Sequence, residues 1–130
     1  MRILVIDDHA LFREALILLL KAFEPAAMVS EASSSEEATS VLSDCPDQDR
    51  ILLDLNLSGT NGLRVLPTLR KLAPTAPVIV LSAEQDPDVI GAALAAGAAG
   101  FVPKTAGGLE TVRALRLILA GETYQPPARP

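Results

Sequence analysis

The chain has 130 residues, 49% of them hydrophobic, with 16 acidic against 11 basic side chains and a formal net charge of −5. That suits one domain with a sizeable core and leaves no room for a second folded unit, while the acidic balance excludes a phosphate-neutralising nucleic-acid surface on this segment. One cysteine, Cys45, excludes an internal disulfide and a thiolate metal site, and no apolar run approaches the roughly 18 residues of a membrane span.

In chain order, Met1 leads straight into a strand pattern instead of a basic and then apolar leader, so the expected location is cytoplasmic. The run Arg2–Ile6 is almost unbroken Val, Ile and Leu, as in a parallel strand covered on both faces. Leu11, Ala15, Leu16, Leu18, Leu19 and Phe23 then recur at helical spacing, with Arg13, Glu14 and Lys21 for the wet face. This helix ends near Pro25. A short strand over 27–32 precedes Ser33-Ser34-Ser35-Glu36-Glu37, where serines stand about three positions before glutamates as in a capping box and open a helix through Leu42. Cys45-Pro46-Asp47 breaks the chain, and Cys45 reads as an inert loop or helix-end thiol.

A third strand over 50–55 carries Asp54 at its end, and Ser58-Gly59-Thr60-Asn61-Gly62 makes a turn-rich loop before a helix over about 63–72. Pro67 removes a backbone donor there and predicts a late or irregular helix start. The fourth strand, 78–81, is followed by Asp86-Pro87-Asp88, a cap residue with proline at the first helical position, and that helix runs to Ala96 and stops at Gly97. A short fifth strand over 100–102 precedes a last helix whose apolar stripe is Leu109, Val112, Leu115, Ile118 and Leu119. The βα alternation, repeated about five times, predicts a parallel sheet with right-handed crossovers and helices on both faces. Pro126, Pro127 and Pro130 make 121–130 the expected start of a linker after a domain spanning 1–120.

In open α/β sheets ligands bind outside the carboxyl ends of the strands, and Asp7, Asp8, Asp54, Ser82 and Lys104 all fall at such ends. Each alone has an ordinary explanation: an Asp pair caps the next helix, Ser82 is a strand-end hydroxyl, and Lys104 is solvated. Asp54 is harder to dismiss, because a carboxylate after Ile-Leu-Leu is costly to bury unless paired or bound to a cation. Together, three aspartates with an ammonium and a hydroxyl suit Mg²⁺ and a phosphoryl group, since Mg²⁺ prefers a few carboxylates plus phosphate oxygens and water. Phe101, on a short edge strand, reads first as core. His9 has no metal-ligand companion and reads as a loop residue.

The order Asp7-Asp8, Asp54, Ser82-Ala83, Phe101, Lys104 resembles the receiver domain of bacterial two-component response regulators, over residues 3 to about 119. Residues 54–62, Asp-Leu-Asn-Leu-Ser-Gly-Thr-Asn-Gly, resemble its phosphoacceptor loop, with Ser58 where proline is common. Residues 97–104, Gly-Ala-Ala-Gly-Phe-Val-Pro-Lys, resemble its lysine motif. The resemblance implies a flavodoxin-like (βα)5 fold with strand order 2-1-3-4-5. It also implies a histidine kinase as partner and Asp54 as acceptor of the phosphoryl group. Mg²⁺ would be held by Asp7, Asp8, Asp54 and the backbone carbonyl of Asn56, and the phosphoryl oxygens by Ser82, Ala83 and Lys104. Ser82 and Phe101 would form the switch, with Asn56 and Glu84 lining the path of attacking water and tuning the phosphorylated lifetime. Such a chain catalyses its own phosphorylation and slow self-dephosphorylation and is otherwise no enzyme.

Residues 120–127, Ala-Gly-Glu-Thr-Tyr-Gln-Pro-Pro, resemble the end of receivers that precede a LuxR-type helix-turn-helix, the NarL/FixJ group. This implies a transcription regulator that homodimerises on phosphorylation, touches DNA only through a C-terminal domain absent from this segment, and engages no membrane. Two alternatives differ in class. One is a stand-alone receiver acting through protein contacts. The other is a haloacid-dehalogenase-like phosphatase, although Asp8-His9-Ala10 lacks the Asp-x-Asp that those enzymes carry after the first strand. A nucleotide or flavin site would need a Gly-rich cradle at the first helix, and Asp7-Asp8-His9-Ala10-Leu11 offers none.

Overall fold

In the computed structural model, residues 1–57, 60–83, 86–104 and 108–122 are described. Five strands form one parallel sheet: β1 (Arg2–Ile6), β2 (Met28–Ala32), β3 (Arg50–Asp54), β4 (Val78–Ser82) and β5 (Gly100–Pro103). Their spatial order is β2-β1-β3-β4-β5, the order the resemblance implies. The helices α1 (Ala10–Phe23), α2 (Ser35–Asp44), α3 (Gly62–Leu72), α4 (Pro87–Ala95) and α5 (Gly108–Leu119) alternate with them. Among the described residues no helix is long and apolar enough to cross a membrane.

The strands are apolar on both faces because both are covered. Leu4 and Ile6 of β1 with Ile51 and Leu53 of β3 pack against Leu42 of α2 and Leu66 and Leu69 of α3. Ile3 and Val5, one residue out of phase, join Leu52, Ile79 and Leu81 under Leu16 and Leu20 of α1 and Leu115 and Ile118 of α5. Each fully buried Leu or Ile contributes about 1.5–3 kcal/mol, so a one-residue register slip, which would exchange the two faces, is strongly disfavoured. A smaller cluster of Leu55, Val80, Ala93 and Phe101 lies beneath α4.

Several expectations need correction. In α1 the inward arc is centred on Leu16 and Leu20, with Phe12, Ile17, Leu19 and Phe23 partly buried, whereas Leu11 and Leu18 are 74% and 71% exposed and Ala15 is exposed. The segment is apolar nearly all round, so spacing alone does not locate the face that meets the sheet. The late start foreseen for α3 is also wrong. It begins at Gly62, because the Asn61 side chain accepts the Leu63 N–H at 2.9 Å and so caps it. Pro67 sits mid-helix but is exposed, where water can serve the carbonyl left without its donor. A two-residue antiparallel ladder, Asn56–Leu57 with Thr60–Asn61, occupies part of the expected loop; Ser58 and Gly59 lie outside the described residues.

The remaining caps follow the sequence. Ser34 accepts the Glu37 N–H at 3.1 Å, and the Glu37 carboxylate reaches back to the Ser33 N–H at 2.8 Å and the Ser33 hydroxyl at 2.7 Å. Those bonds hold the Glu37 carboxyl below its usual range. Asp86 caps α4 by accepting the Asp88 N–H at 2.9 Å, and Gly97 ends it at φ +105°, a conformation costly for any residue with a Cβ. After α5 the Gly121 N–H bonds the Ile118 carbonyl and the Glu122 N–H bonds that of Leu117, the two reverse bonds that close a helix end. The expected linker falls mostly on residues 123–130, which lie outside the described residues.

Candidate functional site

At the carboxyl rim the ladders continue a step past the strands and fix where the polar residues stand. The Asp7 N–H bonds the Ala32 carbonyl at 3.0 Å, the Leu55 N–H bonds that of Leu81 at 3.0 Å, and the Lys104 N–H bonds that of Ser82 at 2.7 Å. The topology thus delivers Asp7, Asp54 and Lys104 to one place, from strands that are adjacent or nearly so in the sheet. Asp7 is fully buried, Asp54 is 1% exposed and Asp8 is half-buried.

Each buried carboxylate is partly satisfied locally. Asp7 Oδ1 accepts the His9 N–H at 2.8 Å, and Asp54 Oδ1 accepts the Asn56 N–H at 3.0 Å. Lys104 Nζ stands 3.0 Å from Asp54 Oδ2 and 3.0 Å from Asp7 Oδ2, and its hydrogen bond is directed at Asp54. Asp7 Oδ2 is therefore a buried acceptor with an ion pair but no directed hydrogen bond. Burial pushes the Asp54 carboxyl above the usual range and the Asp7 charge adds to this, while the Asn56 N–H and Lys104 oppose them.

Ligand oxygens of Asp7, Asp8 and Asp54 lie within 4.8 Å of one another. Three carboxylates for one ammonium, with one buried oxygen short of a donor, fit a hard divalent cation such as Mg²⁺. The observed contact of Asn56 with this cluster is its N–H on Asp54, and its side chain is exposed. Ser82 is fully buried and lines an open cleft beside the cluster with Leu55, Asn56, Asn61, Leu63 and Val89; Ala83 is exposed. Phe101 is fully buried with Val80 and Ala93, in the core position that its sequence context suggests first. His9 is the N-cap residue of α1, and its side chain makes no capping bond. Glu84 lies outside the described residues.

Two neighbours of the cluster escape sequence reasoning. The Arg13 guanidinium donates to the Asp7 carbonyl and pairs with Glu31 of β2 at 2.9 Å, although its spacing assigns it only to the wet face of α1. Phe12 lies beneath Lys104, with Nζ 4.4 Å from the ring centroid. The available signal is their place in the first turn of α1. Long helical side chains lean toward the helix N-terminus, and here that direction leads back to the end of β1.

The model of the response regulator receiver domain family matches residues 3–116. The glycerol metabolism activator of Pseudomonas putida is 42% identical over 126 residues, covering 97% of this chain and 57% of that protein. The nitrate/nitrite response regulator NarL of Escherichia coli K12 is 35% identical over 120 residues, covering 92% of this chain and 55% of NarL. Among solved structures, a LuxR family DNA-binding response regulator from Silicibacter pomeroyi superposes with a TM-score of 0.83 at 32% identity, over 99% of each chain. The chain thus spans about half the length of the curated relatives it matches.

Proposed function

The chain belongs to the response regulator receiver domain family, and on that premise we propose that Asp54 accepts a phosphoryl group from the phosphohistidine of a histidine kinase. The observation that carries this reading is the placement of Asp54: 1% exposed, within reach of two more carboxylates, and 3.0 Å from an ammonium that also faces Asp7. A carboxylate oxygen forms the new O–P bond as the N–P bond of the donor breaks, leaving the imidazole as leaving group. The protein's part is positioning and charge neutralisation more than covalent chemistry. Lys104 acts as a compact point charge toward a phosphoryl oxygen, and Ser82 and Ala83 stand at the end of β4 to take up further oxygens. Asp7, Asp8 and Asp54 are the residues to hold Mg²⁺, which when bound supplies neutralisation of the phosphoryl charge.

Asp54 is itself modified, so the domain is a switch and not a turnover catalyst. The strand-end nucleophile lies on β3 instead of β1, which disfavours the phosphatase alternative. We infer that the output is carried by a DNA-binding domain, the Silicibacter pomeroyi neighbour being described as a DNA-binding response regulator, and is controlled by phosphorylation-dependent dimerisation. Incubation with acetyl phosphate and Mg²⁺ tests the central claim. Intact mass should rise by one phosphoryl group, and Asp54→Ala should abolish the gain; a gain that survives this substitution refutes the assignment.

A further inference from the structure

The ring of Phe12 has no part in the chemistry above, yet it lies against the group whose position matters most. Lys104 Nζ is 4.4 Å from the Phe12 centroid and 3.0 Å from each of two carboxylate oxygens, and the lysine side chain is only 14% exposed. An ammonium over an aromatic face is attracted by the ring quadrupole, more strongly where the pair is shielded from water. Phe12 is itself held, since it is partly buried in the core shared by α1 and α5. The next residue, Arg13, ties the helix to the Asp7 carbonyl and to Glu31. The ring is thus fixed relative to the acidic cluster, whereas Lys104 hangs on a four-carbon stem.

We propose that Phe12 is a positioning residue for phosphoryl transfer, holding the Lys104 ammonium at the rim when its carboxylate partners turn to other work. This rests on the reading of Asp54 as phosphoryl acceptor. In the resting domain two carboxylates already fix the ammonium, so the ring adds little. Once Asp54 is esterified its negative charge no longer pairs with Lys104, and Asp7 is then shared with whatever cation the cluster holds. The ring is the contact that does not change. By keeping the ammonium at the rim while its anionic partner changes from carboxylate to phosphoryl oxygen, the ring spares the ordering of Lys104 during transfer, and through that it acts on the rate.

The test compares the unsubstituted chain with Phe12→Leu, Phe12→Met and Phe12→Tyr, each first shown by circular dichroism to be folded. Leu and Met fill the site without a π face, and Tyr keeps one. The rate of Asp54 phosphorylation by acetyl phosphate and the affinity for Mg²⁺ alone are both measured. Phe12→Leu and Phe12→Met should slow phosphorylation about fivefold, which is about 1 kcal/mol at about 1.4 kcal/mol per tenfold. Mg²⁺ affinity should stay within about twofold of the unsubstituted chain, and Phe12→Tyr should resemble that chain in both measurements. Unchanged rates in the Leu and Met variants overturn the proposal. So does an equal loss in Tyr, or a fall in Mg²⁺ affinity matching the fall in rate, which would mark a general loosening of the pocket. Absence of phosphorylation at Asp54 in the unsubstituted chain would instead refute the reading on which the proposal rests.

Discussion

The surroundings of Asp54 disfavour its charged form. The residue is 1% exposed, and burial raises its carboxyl above the usual range despite hydrogen bonds from Asn56 and Lys104. A carboxyl raised on folding favours the folded state below its ordinary range and loses that advantage as pH climbs through the raised value. The charged form is thus a burden at neutral and alkaline pH. Asp54→Asn, similar in shape and uncharged, should melt a few degrees higher than the unsubstituted domain at about pH 8, with the gap closing as the pH falls toward about 4. Thermal melts across that range check the sign, and equal melting temperatures at about pH 8 would contradict it. Asp7, Asp54 and Lys104 were legible in the sequence because each ends an apolar run, where a charge needs a reason. Phe12 and Arg13 were not, because their contacts depend on which way the first turn of α1 faces.

Helix α3 starts in close contact with the chain just after Asp54. A Cβ added to Gly62 would lie 2.6 Å from Leu55 Cα and 2.9 Å from the carbonyl oxygens of Asp54 and Leu55. The Gly62 N–H meanwhile bonds that Leu55 carbonyl at 2.9 Å. Helix propensity favours alanine over glycine by about 1 kcal/mol, but the overlap is with backbone atoms that cannot rotate away. Overlap should win. Gly62→Ala should cost about 2–3 kcal/mol and lower the melting temperature by on the order of 10 °C. Calorimetry decides it, and an unchanged or higher melting temperature would show that α3 is free to shift. The early start of α3 was missed because Pro67 drew the reading toward a late one, while Asn61, the cap that sets the start, stood within a run of turn formers that reads equally as loop.

At the scale of the molecule, the proposed switch requires two states that differ in affinity for a partner, and phosphorylation can shift only what already exists in equilibrium. Beryllofluoride with Mg²⁺, which mimics the phosphoryl group, should tighten self-association by about tenfold or more, equivalent to about 1.4 kcal/mol. Sedimentation equilibrium with and without the mimic checks this, and identical association constants would remove dimerisation from the proposal. The sequence by itself determined the fold class, the five βα units and most of the acidic cluster, because period and apolar runs are local and a strand end in a parallel sheet is where ligands go. Tertiary structure alone decided which arc of α1 is buried, that Leu11 and Leu18 face outward, and that Lys104 bridges Asp7 and Asp54 above the Phe12 ring. Each of these depends on the distance between residues far apart in the chain, set by how helices pack on the sheet, and no local pattern encodes such a distance.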